Sequence, residues 1–251
     1  MNYENKNQGY GNFGVISENY DSARLSYPEE VIDFCLSFVK EESSSILDLG
    51  CGTGISTRQL AERGKSIVGC DKDQKMIEIA FKYPAKNISY VVAVAEELPF
   101  GEEKFDLVTA FGAFHWFANE KALSEIKKVL RRGGAFCVVN KNDIGNFKQD
   151  YKNILKDVLK RDLPNIKKDY DPQKLLKEAG LSQIQQAKFK TGEFFPLPDT
   201  LLQIQSMSIW NLVPLELKTS TLQLLEKSYR SKLVNGFVER KLEISAIVGI
   251  K

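Results

Sequence analysis

The chain has 251 residues, of which 43% are hydrophobic, 27% charged and 10% aromatic, a balance typical of a globular protein with a packed core. This composition excludes intrinsic disorder and collagen-like repeats. The net charge of +2, from 35 basic and 33 acidic side chains, is far from the basic excess of a sequence-independent nucleic-acid binder. Because residues 1–140 carry net −4 and residues 141–251 net +6, the second half favours an anionic partner.

The four cysteines, Cys35, Cys51, Cys70 and Cys137, contain no CxxC pair, which argues against a disulfide framework or a zinc site. His115 is the single histidine, so no metal site built from imidazoles is expected. The N-terminal segment is polar, and no run approaches the roughly 20 apolar residues of a membrane span. These features predict a reducing, cytoplasmic setting without a membrane or a metal.

From Pro28 the pattern alternates short apolar strands with amphipathic helices, which predicts an α/β fold built on a parallel sheet. The predicted strands are Ile46–Leu49, Ser66–Asp71, Ile88–Val94, Phe105–Phe111 and Ala135–Val139. The predicted helices run from Pro28 to the turn at Ser43, from Ile55 to Arg63, over Met76–Ala80, and from Ala122 to a stop at Gly133–Gly134. Helices on both faces of one sheet follow from this order.

Beyond Asn140 the alternation loosens. The pattern there predicts helices over Lys148–Leu163, Gln173–Ala179, Thr200–Leu212 and Leu215–Ser231, a strand over Ile184–Phe195 and a final strand over Lys241–Ile250. We interpret 1–19 as a flexible segment, 20–140 as the core, 141–240 as an insertion and helical substrate lid that includes a core strand at 181–195, and 241–251 as a strand returning to the sheet.

The strongest motif is Ile46–Gly54, a buried strand with an acidic residue near its end that leads into glycines at every second position. Gly50, Gly52 and Gly54 let the backbone turn sharply and approach a ligand at the carboxyl edge of the sheet. Their spacing differs from GxGxxG, which disfavours a dinucleotide-dependent dehydrogenase. Asp48 would repel a phosphate but suits a ligand that carries an ammonium group.

Asp71 stands 23 positions after Asp48, at the end of the second predicted strand. An acidic side chain there can accept hydrogen bonds from both hydroxyls of a ribose. A tight turn at the glycines and a helix N-cap at Asp71 are the structural alternatives. The strand context of both motifs favours an adenosine-containing ligand.

With these residues the sequence resembles the class I S-adenosylmethionine-dependent methyltransferases, over about Tyr20 to Val139. Asp48–Gly54 has the form of the family's first motif, Asp71 matches its ribose-binding acid, and Ala95–Phe100 resembles its adenine-proximal segment. Val129–Gly134 resembles the family's turn into strand five, with Arg132 where proline is usual. Val94 stands where the family often has an Asp beside the adenine amino group, so Ala95 and Glu96 would take over more of that recognition.

The resemblance implies a seven-stranded Rossmann-like sheet, S-adenosylmethionine as the cofactor and S-adenosylhomocysteine as the product. The residues that it implies for cofactor binding are Tyr20, Arg24, Asp48, Gly50, Cys51, Gly52, Gly54, Asp71, Lys72, Met76, Ala95, Glu96 and Phe111.

Tyr20–Pro28 and Phe114–Phe117 also resemble segments of the trans-aconitate methyltransferases and related small-molecule enzymes. In that subfamily the N-terminal helix closes over the cofactor, which makes Tyr20 and Arg24 candidates to contact the methionine carboxylate or an acidic substrate. Alternatively, Tyr20 packs the helix onto the core and Arg24 is a solvated charge.

His115 directly follows the fourth predicted strand, where it could take a proton from a hydroxyl or amine acceptor. A carboxylate acceptor would need no base, and His115 would then only shape the pocket. The candidate substrate residues are Trp116, Asn140, Lys141 and Trp210.

The sequence therefore predicts methyl transfer to a small-molecule acceptor, with a carboxylic acid as one option. The positive charge of the second half favours an anionic acceptor and is equally compatible with RNA. Two alternatives stay open, an RNA or protein methyltransferase and a non-catalytic module that binds S-adenosylmethionine or S-adenosylhomocysteine. Nucleic acid is disfavoured as a partner by the modest charge. The sequence leaves open a monomer or a homodimer.

Overall fold

A computed structural model describes residue 10 and residues 23–39, 44–63, 66–165 and 169–251. The chain divides into two compact units. The first, called the sheet unit, comprises the described residues of Ser26–Lys141, Ile166–Phe189 and Ile244–Lys251. The second, called the helical unit, comprises Asn142–Asn165, Lys190–Glu243 and the described residues before Ser26. The proposed boundaries of core, insertion and lid stay a prediction, and the segment 1–19 lies outside the described residues apart from Tyr10.

Strands and helices alternate along the first half of the chain. The elements up to the third strand are α1 (Glu29–Leu36), β1 (Ser45–Leu49), α2 (Ile55–Ala61), β2 (Ser66–Asp71), α3 (Gln74–Ala80) and β3 (Ile88–Val92). They are followed by β4 (Phe105–Phe111), a 3-10 turn (Phe114–Trp116), α4 (Glu120–Val129) and β5 (Leu130–Asp143).

The second half is richer in helices. Its elements are α5 (Phe147–Leu159), α6 (Pro172–Glu178), β6 (Ser182–Phe195), α7 (Leu197–Gln205), a 3-10 turn (Ser208–Leu212), α8 (Leu215–Arg230) and β7 (Val238–Ile250). Polar caps explain where several helices begin, since Asp73, Asn119 and Asp171 each accept a hydrogen bond from a main-chain N–H in the first turn.

The seven strands form one sheet in the order β3-β2-β1-β4-β5-β7-β6. Strands β1 to β5 pair in parallel. Lys251 bonds to Gly133 and Gly134 whereas Lys241 bonds to Ile144, so β7 runs antiparallel to β5. The predicted seven-stranded, mostly parallel sheet is confirmed. The strand order reverses beside β1, and such a reversal opens a crevice at the carboxyl ends of the strands.

Apolar side chains of the sheet alternate between two hydrophobic clusters, one on each face. Leu107 belongs to the cluster that includes residues of α1 and α2, and its neighbour Val108 belongs to the cluster with residues of α4 and α6. The period of two along β4 places helices on both faces, as predicted. Each fully buried aliphatic side chain stabilises the fold by about 1.5–3 kcal/mol, so the two clusters dominate the stability of the sheet unit.

The helical unit has a hydrophobic cluster of its own, which includes the buried rings of Phe147, Tyr151, Trp210 and Tyr229. The Tyr229 hydroxyl donates to the Phe147 carbonyl at 2.6 Å, which satisfies a polar atom inside this cluster. Among the described residues, no helix is long and apolar enough to cross a membrane.

Three of the differences between the predicted and observed bounds of the elements have an identifiable cause. The first helix ends at Leu36 rather than near Ser43, and the Ser37 hydroxyl there donates to the Phe34 carbonyl, which competes with a further helical turn. The helix predicted over Thr200–Leu212 is interrupted after Gln205, where the Ser206 hydroxyl likewise donates to the Gln203 carbonyl.

The third difference concerns Gly133 and Gly134, which lie inside β5 rather than at the end of a helix. Gly133 has a φ of +76°, and the pairing of β4 with β5 changes register between Phe105 and Leu107. A glycine in this conformation takes up the extra residues of a strand irregularity. The helix ends at Val129 without needing the glycines as its stop.

Candidate functional site

A tight loop joins β1 to α2 at the carboxyl edge of the sheet. Gly50, Gly52 and Gly54 have φ values of +71°, +56° and +83°, which side chains other than glycine rarely adopt. The main-chain N–H groups of Gly50 and Cys51 both donate to the Cys70 carbonyl, at 2.7 and 3.1 Å. These bonds hold the loop against the end of β2.

The three loop glycines differ in what surrounds them. A Cβ atom on Gly50 would lie 2.5 Å from the Ala113 Cβ atom, and one on Gly54 would collide with the Tyr90 hydroxyl. A Cβ atom on Gly52 would meet nothing within 4 Å. Gly50 and Gly54 are therefore required by packing, whereas Gly52 borders open space that a ligand could fill.

Asp71 ties the glycine loop to the end of β2. One carboxylate oxygen accepts from the Gly52 N–H and the other from the Asp73 N–H, each at 2.9 Å. Burial raises the pKa of Asp71, and the two N–H donors oppose that rise. A carboxylate has about four acceptor sites, so two remain for hydroxyl groups of a ligand. The structure places Asp71 beside the open space over Gly52; the ribose contact itself stays a prediction.

Asp48 is fully buried at the end of β1. One of its oxygens accepts from the hydroxyls of Ser56 and Thr57, both at 2.7 Å, and the other accepts from the Thr109 hydroxyl at 2.9 Å. Burial raises the pKa of Asp48, while the three hydroxyls lower it. The carboxylate thus joins β1, α2 and β4, and its contact with an ammonium group stays a prediction.

The Asp48 carboxylate is expected to make the protein less stable as the pH rises. Because its pKa is higher in the folded than in the unfolded chain, the folded state holds the proton more tightly, and this stabilisation is lost as the pH rises through the folded pKa. Asp48→Asn removes this titration with almost no change in shape. The variant should therefore gain stability relative to the natural protein as the pH rises above about 4, the pKa of an unfolded aspartate. Urea unfolding across that range measures the difference, and a variant that loses relative stability with rising pH would contradict the prediction.

The predicted adenine segment follows β3. Ala95 is buried, and the Glu96 carboxylate accepts from the Asn119 side chain at 2.7 Å. Because Asn119 also caps α4, this bond anchors the segment at the start of that helix. Val94, at the position where the related family often has an acid, is 43% exposed.

The remaining predicted cofactor residues of the sheet unit lie in the glycine loop, just after β2, in α3 and at the end of β4. Cys51 and Met76 are buried, and burial raises the pKa of the Cys51 thiol well above its ordinary value, so the thiol stays neutral. Lys72 is exposed. Phe111 ends β4, and its ring packs edge to face on Tyr27 at 4.8 Å between centroids. Their contacts with the cofactor stay predictions.

The 3-10 turn after β4 carries the predicted base and its neighbour. The rings of His115 and Trp116 lie 5.1 Å apart, and the Tyr170 ring packs edge to face on His115 at 5.9 Å. Asn140, 4% exposed near the end of β5, accepts from the Tyr170 hydroxyl at 3.5 Å. We call His115, Trp116, Asn140 and Tyr170 the polar aromatic cluster.

The glycine loop and this turn touch each other. A side chain at Gly50 would strike the Cβ atom of Ala113, which directly precedes the turn. The Phe117 ring lies next to the same position. Lys141 follows Asn140 and places its ammonium over the Tyr27 ring at 4.6 Å. The structure thus brings the predicted residues Gly50, Lys141 and the cluster to one edge of the sheet.

Three predicted residues do not belong to this group. Tyr20 lies outside the described residues. Arg24 belongs to the helical unit, where its Nη2 donates to the Ser206 carbonyl at 3.1 Å. Trp210 is 4% exposed within the hydrophobic cluster of the helical unit. Their roles in binding stay predictions.

Tyr27 and Tyr170 are two further residues of the site that the sequence analysis did not include among its candidates. Tyr170 directly precedes Asp171, the cap of α6, so its position follows from a helix start that the sequence did predict. Its approach to Asn140 crosses 30 positions, for which the sequence holds no signal. Within the described part of the chain, no three His, Cys, Asp or Glu side chains form a group that could hold a metal ion.

Residues 47–138 match the family model of the methyltransferase domain. An uncharacterised methyltransferase of Schizosaccharomyces pombe is 35% identical over 123 residues, which make up 48% of this chain and 49% of that protein. A candidate S-adenosylmethionine-dependent methyltransferase of Saccharomyces cerevisiae is 31% identical over 134 residues, 51% of this chain and 46% of that protein. The chain thus spans about half the length of the curated relatives it matches.

Among solved structures, a candidate type II methyltransferase of Anaeromyxobacter dehalogenans aligns with 90% of this chain and 96% of its own, at a TM-score of 0.62. The identity of 20% limits this likeness to the fold. The family match, the glycine loop and the strand order agree with one another. Residues 47–138 therefore match a methyltransferase domain, and the chain has the fold of the solved methyltransferase structure.

Proposed function

We propose that this chain transfers a methyl group from S-adenosylmethionine to a small-molecule acceptor that carries a carboxylate. The observation that carries the proposal is the open space over Gly52, in a loop held by Asp71 and in contact with the turn that leads to His115. The S-adenosylmethionine-dependent relative from Saccharomyces cerevisiae supports the choice of cofactor.

The residues around the loop fit this cofactor. Gly52 leaves room for it, Asp71 retains acceptor sites for ribose hydroxyls, and main-chain groups near Ala95 are the candidates for contact with the adenine. When bound, S-adenosylmethionine supplies a methyl group that its sulfonium already activates. The protein's own task is to align the acceptor, an effect that can lower a barrier by about 7–11 kcal/mol.

The polar aromatic cluster favours a methyl acceptor whose own oxygen atoms accept hydrogen bonds. Burial raises the pKa of Tyr170 above its ordinary value, so its hydroxyl stays a neutral donor. Because that hydroxyl donates to the Asn140 amide oxygen, the amide NH₂ group remains as a donor toward a ligand. A carboxylate matches these donors.

Calorimetric titration tests the cofactor. Micromolar binding of S-adenosylmethionine and S-adenosylhomocysteine, with no binding of NADH as the control, is the expected result. Binding of NADH alone, or of none of the three, would refute the proposal. Incubation with a panel of carboxylic acids, amines and alcohols then tests the acceptor, with S-adenosylhomocysteine release as the readout. Binding without product from any acceptor would leave a binding module instead of an enzyme.

The role of His115 separates the classes of acceptor. A carboxylic acid is already ionised at neutral pH, so no base is needed. With such an acceptor, His115→Ala should lower kcat less than tenfold, and kcat/KM should stay level between about pH 6 and 8. A loss of 100-fold to 10,000-fold is typical for removal of a general base and would indicate a hydroxyl or amine acceptor. Tyr170→Phe is the companion variant, expected to raise KM with little change in kcat.

A further inference from the structure

Two buried thiols, one on α1 and one on β5, face each other in the sheet unit. The Sγ atoms of Cys35 and Cys137 are 3.0 Å apart, and both side chains have no exposed surface. Cys35 lies in the last turn of α1 and Cys137 in the middle of β5. A covalent disulfide needs about 2.05 Å between the sulfurs, so the two sulfur atoms would have to approach each other by roughly 1 Å to form one.

The other two cysteines provide a comparison. The thiols of Cys51 and Cys70 are directed at main-chain oxygens, those of Gly52 and Ala93, at 3.7 Å in each case. All four cysteines are free and buried. Among the residues that the structure describes, only Cys35 and Cys137 bring two sulfur atoms into direct contact.

We propose that Cys35 and Cys137 form a thiol-modification site that closes into an intramolecular disulfide when a low-molecular-weight disulfide is present. One cysteine thiolate attacks the small disulfide, forms a mixed disulfide and releases one small thiol. The second cysteine attacks the protein sulfur of that mixed disulfide and releases the other small thiol. The protein loses two electrons, and the small disulfide gains them and leaves as two thiols that carry the two protons.

The burial of both sulfurs decides how the exchange proceeds. Burial, followed by the contact with Cys137, raises the pKa of Cys35 well above its ordinary value, so the closed structure holds Cys35 as a neutral thiol. Exchange therefore passes through local opening at the end of α1, which is the end of a short helix. Once one sulfur is modified, the return of the helix brings the partner sulfur within reach.

The crosslink is expected to stabilise the protein without changing cofactor binding. It would join positions 102 residues apart, and closing so long a loop removes much of the freedom of the unfolded chain. Both cysteines belong to the hydrophobic cluster shared with α1 and α2, whereas the loop over Gly52 presents its backbone to the open space. The disulfide thus acts as a clamp between α1 and β5.

The experiment uses the whole chain with oxidised glutathione, and a parallel sample is kept in dithiothreitol. The expected product is a protein 2 Da lighter in mass, with two of its four thiols lost and one linked peptide pair that contains Cys35 and Cys137. Its unfolding midpoint should rise by roughly 5–15 °C. Its affinity for S-adenosylhomocysteine should stay within twofold of the reduced form.

Variants separate the two pairs of cysteines. Cys35→Ala and Cys137→Ala should each abolish the crosslink, whereas Cys51→Ala and Cys70→Ala should retain it. Where an alanine variant fails to fold, serine replaces it, and peptide mapping of the natural chain decides independently. Three outcomes would each overturn the proposal. The first is four intact thiols after exposure to oxidised glutathione at a urea concentration just below the unfolding transition. The others are a crosslink through Cys51 or Cys70 and an unchanged unfolding midpoint.

Discussion

Gly52→Ala is expected to weaken S-adenosylhomocysteine binding at least 100-fold while the protein stays folded. The added methyl group meets no protein atom within 4 Å, so it enters the space that we assign to the cofactor. The φ of +56° is unfavourable for alanine, which costs about 1–2 kcal/mol of stability. Calorimetric titration and urea unfolding of the same preparation measure both quantities.

Gly133→Ala is the matched control for this strain. Gly133 has a φ of +76°, and its Cβ atom would also meet nothing within 4 Å, but it lies in the β5 irregularity rather than in the loop. The same loss of stability should leave binding unchanged. If Gly52→Ala retained the natural affinity, the loop could not be the cofactor site.

Gly50→Ala, in contrast to Gly52→Ala, should act mainly on folding stability. Its methyl group would press on Ala113 at 2.5 Å, so we expect a loss of folding stability larger than that of Gly52→Ala. Ala113→Gly in the same chain removes the clash and should restore part of that stability. The strain from the φ of +71° would remain.

The loop and the strands beside it are predictable because local signals determine them. The structure places β2 at Ser66–Asp71, the bounds that the sequence predicts, since a buried apolar run ends there in an acid. The helix after the loop begins at Ile55, also as predicted. Each of these features needs only the residues within a few positions of it.

A glycine pair does not identify a structural element when it is compatible both with the end of a helix and with an irregularity in a strand. Gly133 and Gly134 follow an amphipathic helix, which is the usual place for a helix stop. In the structure they belong to β5, because Leu130 already pairs with Phe105 of β4. The register of a neighbouring strand decides between the two interpretations, and that register is not a local property.

Contacts between positions far apart in the sequence could not be predicted either, because they too depend on more than local sequence. Asp48 is recognisable as a motif residue, but its hydrogen bond with Thr109 joins positions 61 apart. Tyr170 reaches Asn140 only because α6 is capped where it is. The composition of the candidate acceptor site therefore depends on packing that no motif encodes.

Arg240→Ala is expected to destabilise the protein by about 3–5 kcal/mol, the effect typical of breaking a buried ion pair. The Arg240 guanidinium bonds to both oxygens of Asp143, at 3.1 and 2.8 Å, and to Glu193 at 3.0 Å. The three side chains are 4–7% exposed. Burial alone lowers the pKa of Arg240, but its bonds to the two carboxylates more than offset that effect.

Arg230→Ala is the matched control, because Arg230 pairs with Glu226 on the surface, where its side chain is 65% exposed. Loss of such a pair costs at most about 1 kcal/mol. Urea unfolding of both variants gives the comparison, and equal losses would show that the buried network contributes no more than a surface pair. Arg240→Lys should fall between the two variants, since it keeps the charge but loses the fork of donors.

Further variants can show whether the expected loss of stability in Arg240→Ala comes from uncompensated charge or from lost packing of the side chain. If two uncompensated carboxylates destabilise Arg240→Ala, then neutralising them with Asp143→Asn and Glu193→Gln in the same chain should recover part of the stability. If the lost packing against the Phe147 ring dominates instead, the triple variant should be no more stable than Arg240→Ala. Arg240→Met, which keeps most of the side-chain volume, should then be the least affected of the substitutions.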